Sequence, residues 1–291
     1  MSTIDETNRL ASRLRELHAG AGLLVVPNAF DAASGRILEQ KGFPTVATSS
    51  AAMAWSAGGR DGEELSFAHA LELHIRVARA VGIPVSVDFE GGYLEGGKDI
   101  ERTVDAVIEA GVAGLNLEDT DFSGGSVLKE ASDHADLVAA ARAAAERRGV
   151  ALFLIGRTDL FFRGVGPAEE RVAEAARRLK LYAEAGADCV FAPGIVDEGD
   201  IATLIGQLSV PLNVMYTPPG PPHVTFTPPS PPLTRLGELG VKRLTFGGYP
   251  YLTALSALES VAEALKAGDL GPLDRSMTLS PSCLGAIAGM G

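Results

Sequence analysis

The chain has 291 residues, 46% of them hydrophobic and 21% charged, with a formal charge of -12 at pH 7. Such values suit a soluble globular protein and leave no basic excess for tracking nucleic-acid phosphates or an anionic membrane surface. The two cysteines, Cys189 and Cys283, are too few for a disulfide framework or a CxxC metal knuckle and read as free thiols in a reducing compartment.

In chain order, residues 3–19 ("TIDETNRLASRLRELHA") carry charges throughout. They are expected to form a helix before the first strand, lying over the amino-terminal mouth of the fold. No run of about 18 apolar residues follows anywhere, so neither a secretion signal nor a membrane span is expected, and the cytoplasm is the default location. From there the chain repeats one pattern: an amphipathic helix, a glycine that ends it, and a short apolar strand. Gly42, Gly82, Gly111, Gly149, Gly186 and Gly240 stand where a left-handed helix cap is wanted. The strands are expected at about 23–27, 44–48, 84–88, 113–118, 151–156, 188–192, 211–215 and 242–246. Eight strands alternating with helices predict a parallel sheet closed into a (β/α)8 TIM barrel. The barrel is expected over about 20–268 of a single domain spanning 1–291, with a tail over 269–291. The rival, an open doubly wound sheet, would carry a glycine-rich dinucleotide loop after its first strand, and "VVPNAFDAASG" is not that loop. The segment 216–232, "YTPPGPPHVTFTPPSPP", is too rich in proline for a helix or a central strand and reads as a semi-rigid cover or an interface piece.

Active sites of such barrels lie at the carboxyl ends of the strands, and here those ends form a ring of acids. Asp61 lies in the loop "GGRDGEE", Asp88 and Glu90 end the third strand on one side of a period-2 pattern, and Glu118 and Asp119 end the fourth. Arg157 and Asp159 end the fifth. Asp119 and Asp159 are expected to be helix caps or partners of Arg157. One arginine cannot neutralise the rest, and carboxylates without His or Cys at the same level describe a hard cation, Mg²⁺ or Mn²⁺. Asp88 and Glu118 are the expected direct ligands; Asp61 and Glu90 are expected to hold metal-bound water. The small, polar "TSSAA" after the second strand, with Ser49, either cradles an anionic group on its backbone N–H groups or is a plain turn. Arg157 suits bidentate capture of a substrate carboxylate, or a structural pair with Asp159. His223 is the one histidine placed to reach a substrate. "FGGY", 246–249, either meets phosphate or only turns the chain.

The segments "NAFDAASGRILEQKGF", "VSVDFEGGY", "AGVAGLNLEDT" and "IGRTD", in this order and spacing, resemble the isocitrate lyase/phosphoenolpyruvate mutase superfamily over about residues 26–194, and more loosely to the end of the eighth strand. The resemblance implies an α/β barrel assembled as a homotetramer with exchanged carboxyl-terminal helices. It also implies a Mg²⁺-dependent site that makes or breaks a bond next to a 2-oxo acid through an enolate. The matching positions are Asp61, Asp88, Glu90 and Glu118 around the metal, Ser49, Ser50 and Ala51 for a substrate carboxylate, and Arg157 for substrate binding. Asp61, Glu118 and Arg157 are the expected catalytic set. The chain departs from the family at Glu90, where an aspartate is usual, and in the loop "DFSGGSVLKEASDH", which lacks both the lysine-and-cysteine signature of isocitrate lyases and the lysine-threonine-asparagine signature of phosphonopyruvate enzymes. Cysteine-free members, including oxaloacetate-decarboxylase-like proteins, remain, with water or Tyr93 left to protonate the enolate. The expected function is therefore Mg²⁺-dependent cleavage of a carbon–carbon bond in a small 2-oxo or 2-hydroxy di-acid, by a soluble dimer or tetramer. Phosphorus–carbon chemistry and a non-catalytic 2-oxo acid binder are the alternatives.

Overall fold

The computed structural model describes residues 3–94, 99–124, 127–220, 228–276 and 279–289. Among them run nine short strands: β1 (Leu24–Val25), β2 (Asn28–Ala29), β3 (Val46–Thr48), β4 (Val85–Asp88), β5 (Gly114–Glu118), β6 (Phe153–Arg157), β7 (Cys189–Phe191), β8 (Leu212–Met215) and β9 (Arg243–Thr245). The helices are α1 (Thr3–Ala19), α2 (Ala32–Gln40), α3 (Ser50–Ser56), α4 (Phe67–Ala80), α5 (Ile100–Glu109) and α6 (Ala131–Arg147), then α7 (Arg171–Glu184), α8 (Glu198–Gln207), α9 (Leu233–Glu238), α10 (Tyr249–Lys266), α11 (Gly271–Ser276) and α12 (Pro281–Ala288). No helix among the described residues is long and apolar enough to cross a membrane.

All strand pairs are parallel, and they form one curled sheet in the order β1-β9-β8-β7-β6-β5-β4-β3-β2. The expected first strand is split in two. Leu24 and Val25 pair with β9, whereas Asn28 and Ala29 pair with β3, so the two edges of the sheet are carried by one segment broken at Val26-Pro27. Proline has no N–H for a ladder, which accounts for the break. Asn28 bridges the two edges: its Nδ2 donates to the Thr48 carbonyl at 2.6 Å, and its Oδ1 accepts the N–H groups of Phe246 and Gly247 at 2.7 and 3.0 Å.

Alternation along the strands separates two packing layers. Val85, Val87, Leu115 and Leu117 face outward onto the helices around α4, α5 and α6, and Val190, Val214 and Leu244 face those around α7, α8 and α9. Inside the sheet, Phe153, Ile155, Cys189, Phe191 and Met215 cluster with Leu10 and Leu14 of α1, so α1 plugs the amino-terminal end as expected. Five of the six joint glycines adopt positive φ, from 68° at Gly149 to 107° at Gly186. Gly82 does not: α4 ends on Val81 in extended backbone, and the Gly82 N–H donates to Glu39 Oε1 at 2.9 Å. Residues 216–220 and 228–232 are not helical, and the ends of this loop are tied where Ser230 N–H donates to the Thr217 carbonyl at 3.0 Å. His223 lies outside the described residues. The tail supplies α12, which rests on α2 of its own chain, with Arg36 Nη1 donating to the Ile287 carbonyl at 3.1 Å.

Gly156 lets α7 approach β6 closely: a Cβ there would lie 2.8 Å from Tyr182 Cβ. Gly156→Ala therefore overpacks this contact and is expected to cost about 1–3 kcal/mol, read as a lower midpoint in urea unfolding followed by circular dichroism.

Candidate active site

Strand register places the chemistry. Asp88 pairs with Asn116, and Glu118 pairs with Arg157; all four point into the carboxyl-terminal end of the sheet, because period-2 alternation sends Ser86 and Asp88, Asn116 and Glu118, and Ile155 and Arg157 the same way. Arg157 is buried at the centre. Its Nε and Nη2 donate to the two oxygens of Asp159 at 2.6 and 3.1 Å, and its Nη1 lies 2.8 Å from Glu118 Oε2 and 3.4 Å from Asp88 Oδ1. Burial works against the guanidinium charge, but Asp159, Glu118 and Asp88 outweigh it and hold Arg157 charged. Glu118 is less settled. Burial raises its carboxyl well above the ordinary range, the charges of Asp159, Asp88 and Asp61 add to that, and Arg157 pulls the other way.

Asp88 is fixed from several sides. Ser50 Oγ donates to its Oδ2 at 3.1 Å, Asn116 Nδ2 to its Oδ1 at 2.6 Å, and its own N–H donates to Thr48 Oγ1 at 3.1 Å. Thr48 Oγ1 is in turn hydrogen-bonded to His74 Nδ1 at 2.8 Å, and burial lowers His74 to about 4, so this ring is neutral. Ser49, expected either to cradle an anionic group or to stand in a plain turn, caps α3, its Oγ accepting the Ala52 N–H at 3.4 Å.

Glu90 departs from the pattern expected of it. It lies beyond β4 with φ 50°, so strand alternation does not set the direction of its side chain. Its Oε2 accepts the N–H groups of Gly62, at 2.8 Å, and of Glu63, and its Oε1 accepts the Tyr93 hydroxyl at 2.8 Å. Glu90 thus anchors the loop that carries Asp61. Tyr93, spent on Glu90 and buried, does not line the cavity above Asp88. Loss of surrounding water and then the Asp88 charge raise the Asp61 carboxyl, against Arg157 and the Ser50 hydroxyl. The other two strand-end acids are structural. Asp159 chelates Arg157, and Asp119 accepts from Arg178 Nη1 at 3.0 Å and from the Tyr182 hydroxyl at 2.7 Å.

A cavity of about 220 Å³ opens over this floor, lined by Ser49, Ser50, Ala51, Asp61, Asp88 and Arg157 together with Trp55, Phe162, Gly247, Gly248 and Tyr249. It brings together every expected site residue except Glu90 and Glu118. Glu118 reaches the site through Arg157. Of the aromatic wall only Tyr249 was singled out from the sequence, as the end of "FGGY"; Trp55, Phe162 and Asn116 were not. Asn116 alternates with Glu118 in "LNLE" and was detectable on that ground, whereas the aromatic residues lie in loops and helices whose aim no local pattern fixes. The N–H groups of Phe246 and Gly247 are taken up by Asn28, so this half of "FGGY" serves the turn. Among the described residues no three His, Cys, Asp or Glu side chains are grouped as a ready-made metal centre.

The model of the phosphoenolpyruvate phosphomutase family matches residues 14–266. The chain belongs to the isocitrate lyase/phosphoenolpyruvate mutase superfamily. An uncharacterized protein of Mycobacterium tuberculosis is 30% identical over 257 residues, 88% of this chain and 90% of its own. Oxaloacetate decarboxylase 1 of Pseudomonas putida is 30% identical over 248 residues, 84% of this chain and 80% of its own. A crystallised Burkholderia cenocepacia protein provisionally described as a phosphonomutase superposes with a TM-score of 0.79 at 36% identity, over 88% of this chain and 100% of that one. The superfamily thus holds both carbon–carbon lyases and phosphorus–carbon mutases. Neither cysteine lines the cavity: Cys189 lies in β7, its thiol pushed up to about 12 by burial, and Cys283 lies in α12.

Burial, then the Asp61 charge, pushes Glu90 up to about 7. Its folded pKa lies above its unfolded value, so the folded state holds the extra proton and stability falls as pH rises from about 4.5 to about 7. In chelator-treated buffer, Glu90→Gln is expected to flatten this fall by on the order of 2 kcal/mol, measured as urea midpoints from pH 4.5 to 8.

Proposed function

We propose that the chain is a Mg²⁺-dependent carbon–carbon lyase or decarboxylase acting on a small 2-oxo or 2-hydroxy di-acid. The observation that carries this reading is the surplus of acids at this end of the sheet: with Asp159 engaged on Arg157, the carboxyl groups of Asp61, Asp88 and Glu118 remain around that guanidinium. That donor set fits a hard divalent cation, which needs only one or two direct carboxylates beside water and substrate oxygens. Asp88 and Glu118 would hold Mg²⁺, or Mn²⁺ in its place, with Asp61 on its water; Glu90, engaged by Gly62, Glu63 and Tyr93, would position that loop. When bound, the ion acts as a Lewis acid on a substrate oxygen.

The chain's own groups supply the rest. Arg157, locked by Asp159, offers fixed positive charge where negative charge develops. Ser50 and the backbone of Ser49 to Ala51, with Gly247 and Gly248 opposite, form the rim on which a substrate carboxylate would sit. Asp61, raised above the usual aspartate range, is poised to hold and release a proton at the mouth. Trp55, Phe162 and Tyr249 limit the water that reaches the floor. Identity with oxaloacetate decarboxylase 1 over most of both chains supports decarboxylation; identity with the Burkholderia protein favours phosphorus–carbon chemistry as the second reading. A 2-oxo acid binder without turnover is the third.

We also read the curled sheet as a (β/α)8 barrel closed through residues 24–29, over about 20–268 of one domain, and the chain as a homo-oligomer, dimer or tetramer, meeting through α10. That helix has no buried residue, and Leu255, Leu258 and Leu265 on it are 40%, 60% and 42% exposed.

With Mg²⁺, nuclear magnetic resonance is expected to show consumption of one compound among oxaloacetate, 2-methylisocitrate, 2,3-dimethylmalate and phosphonopyruvate. Chelation should abolish the reaction, and Asp88→Asn should lower kcat by about 10²-fold or more. Loss of phosphonopyruvate alone would select the second reading. Ligand binding with no product would select the third. Leu258→Glu is expected to reduce the molar mass measured by light scattering; an unchanged monomeric mass in the unsubstituted protein would remove the oligomer reading.

A further inference from the structure

A second, smaller cavity of about 50 Å³ lies on the inner side of the same floor, sharing Asp88, Arg157, Met215 and Gly247 with the first. Its space admits a few water-sized groups. At its base is Arg243 of β9, which is 1% exposed. Arg243 Nη2 donates to Ser86 Oγ at 2.6 Å, and Nη1 lies 3.2 Å from His18 Nε2. His18 Nδ1 is 2.7 Å from the Leu14 carbonyl, which can only accept, so the ring proton is on Nδ1 and Nε2 accepts from Arg243. Burial, then the Arg243 charge, lowers His18 to about 3, so its imidazole is neutral. Neither partner carries charge.

Arg243 therefore differs from the other buried arginines. Arg157 and Arg178 are each paired with carboxylates, whereas no acid among the described residues forms an ion pair with Arg243, and its Nε has no hydrogen-bond partner. An isolated buried charge is costly unless something compensates it. The same cavity wall carries an unused acceptor. Asn116 Nδ2 is fixed on Asp88 Oδ1 at 2.6 Å, which sets the amide orientation, and Asn116 Oδ1 is left without a partner. Arg243, with its unpaired donor, and Asn116, with its unpaired acceptor, thus both line one small polar space, together with Asp88, Asn213 and Thr245.

We propose that this cavity is an anion site for a small hydroxyl-bearing monoanion of bicarbonate's size, its charged oxygens on Arg243 and its O–H donating to Asn116. Two sources share that chemistry: free bicarbonate, and the hydroxy-carboxylate end of a 2-hydroxy acid reaching down from the upper cavity. The site does not rest on the lyase reading, since it is defined by groups beneath the proposed metal ligands and is tested without metal or turnover.

The test uses the full chain in chelator-treated buffer with ¹³C-labelled bicarbonate. The expected result is severalfold broadening of the bicarbonate resonance and a rise of a few degrees in Tm over chloride at equal ionic strength. Both effects should be lost in Arg243→Met. If that variant does not fold, Asn116→Leu should weaken the broadening while leaving any chloride effect in place. Displacement of labelled bicarbonate by glycolate assigns the site to a substrate arm; retention assigns it to the free ion. No broadening, together with equal Tm in bicarbonate and chloride for the unsubstituted protein, overturns the proposal and leaves Arg243 a strut between Ser86 and His18.

Discussion

The arrangement at the carboxyl end of the sheet depends on one guanidinium. Arg157 is taken out of water, which is costly, and the structure offsets that cost by surrounding it with Asp159, Glu118 and Asp88. The same three acids could not stand so close without it. Because Asp159 takes two of the Arg157 nitrogens, the guanidinium plane is fixed by a residue two positions along its own chain, and Glu118 meets it by strand register rather than by a flexible reach. The charge balance still leaves acids in excess, which makes this end of the sheet receptive to a cation.

Adjacent residues in "LED" show how the sheet separates chemistry from architecture. Glu118 faces inward to Arg157, and Asp119, one residue later, faces outward to Arg178 and Tyr182 on α7. Asp119 also accepts the Asp159 N–H at 2.9 Å, so the outward network holds the backbone that carries the inward one. Gly156 belongs to the same design, since its missing side chain lets Tyr182 come near enough to reach Asp119. The acids look alike in sequence, and the pleat divides their duties.

Much of this was legible in the chain alone. Apolar runs after glycine-marked joints located β3 to β7 and β9, two further apolar runs located β8 and the β1 half of the split first strand, and parallel register then made Asp88, Glu118 and Arg157 neighbours. What stayed hidden depends on distant partners. Glu90 turns to φ 50° with its carboxylate accepting the N–H groups of Gly62 and Glu63, and nothing in "VDFEGGY" announces them. Gly82 forgoes its cap because Glu39 takes its N–H. The break at Val26-Pro27 could be suspected from the proline, but not that each half would serve a different edge. Arg243 stood in plain view as a charge inside the apolar "VKRLTF"; its lack of an acid partner became evident only once the strands were assembled.

The division of residues 24–29 between two edges has a consequence in time. Thr48 follows Asn28 by 20 residues, but the N–H of Phe246 that completes the Asn28 hydrogen bonds is made 218 residues later. At about 5–20 residues per second, that is on the order of ten to forty seconds of translation. Through that interval the nascent chain carries an open strand edge at Leu24–Val25, a template for wrong pairing. Two-residue strands bounded by proline present little of that template, so the shortness of β1 guards the chain while it waits for its own end.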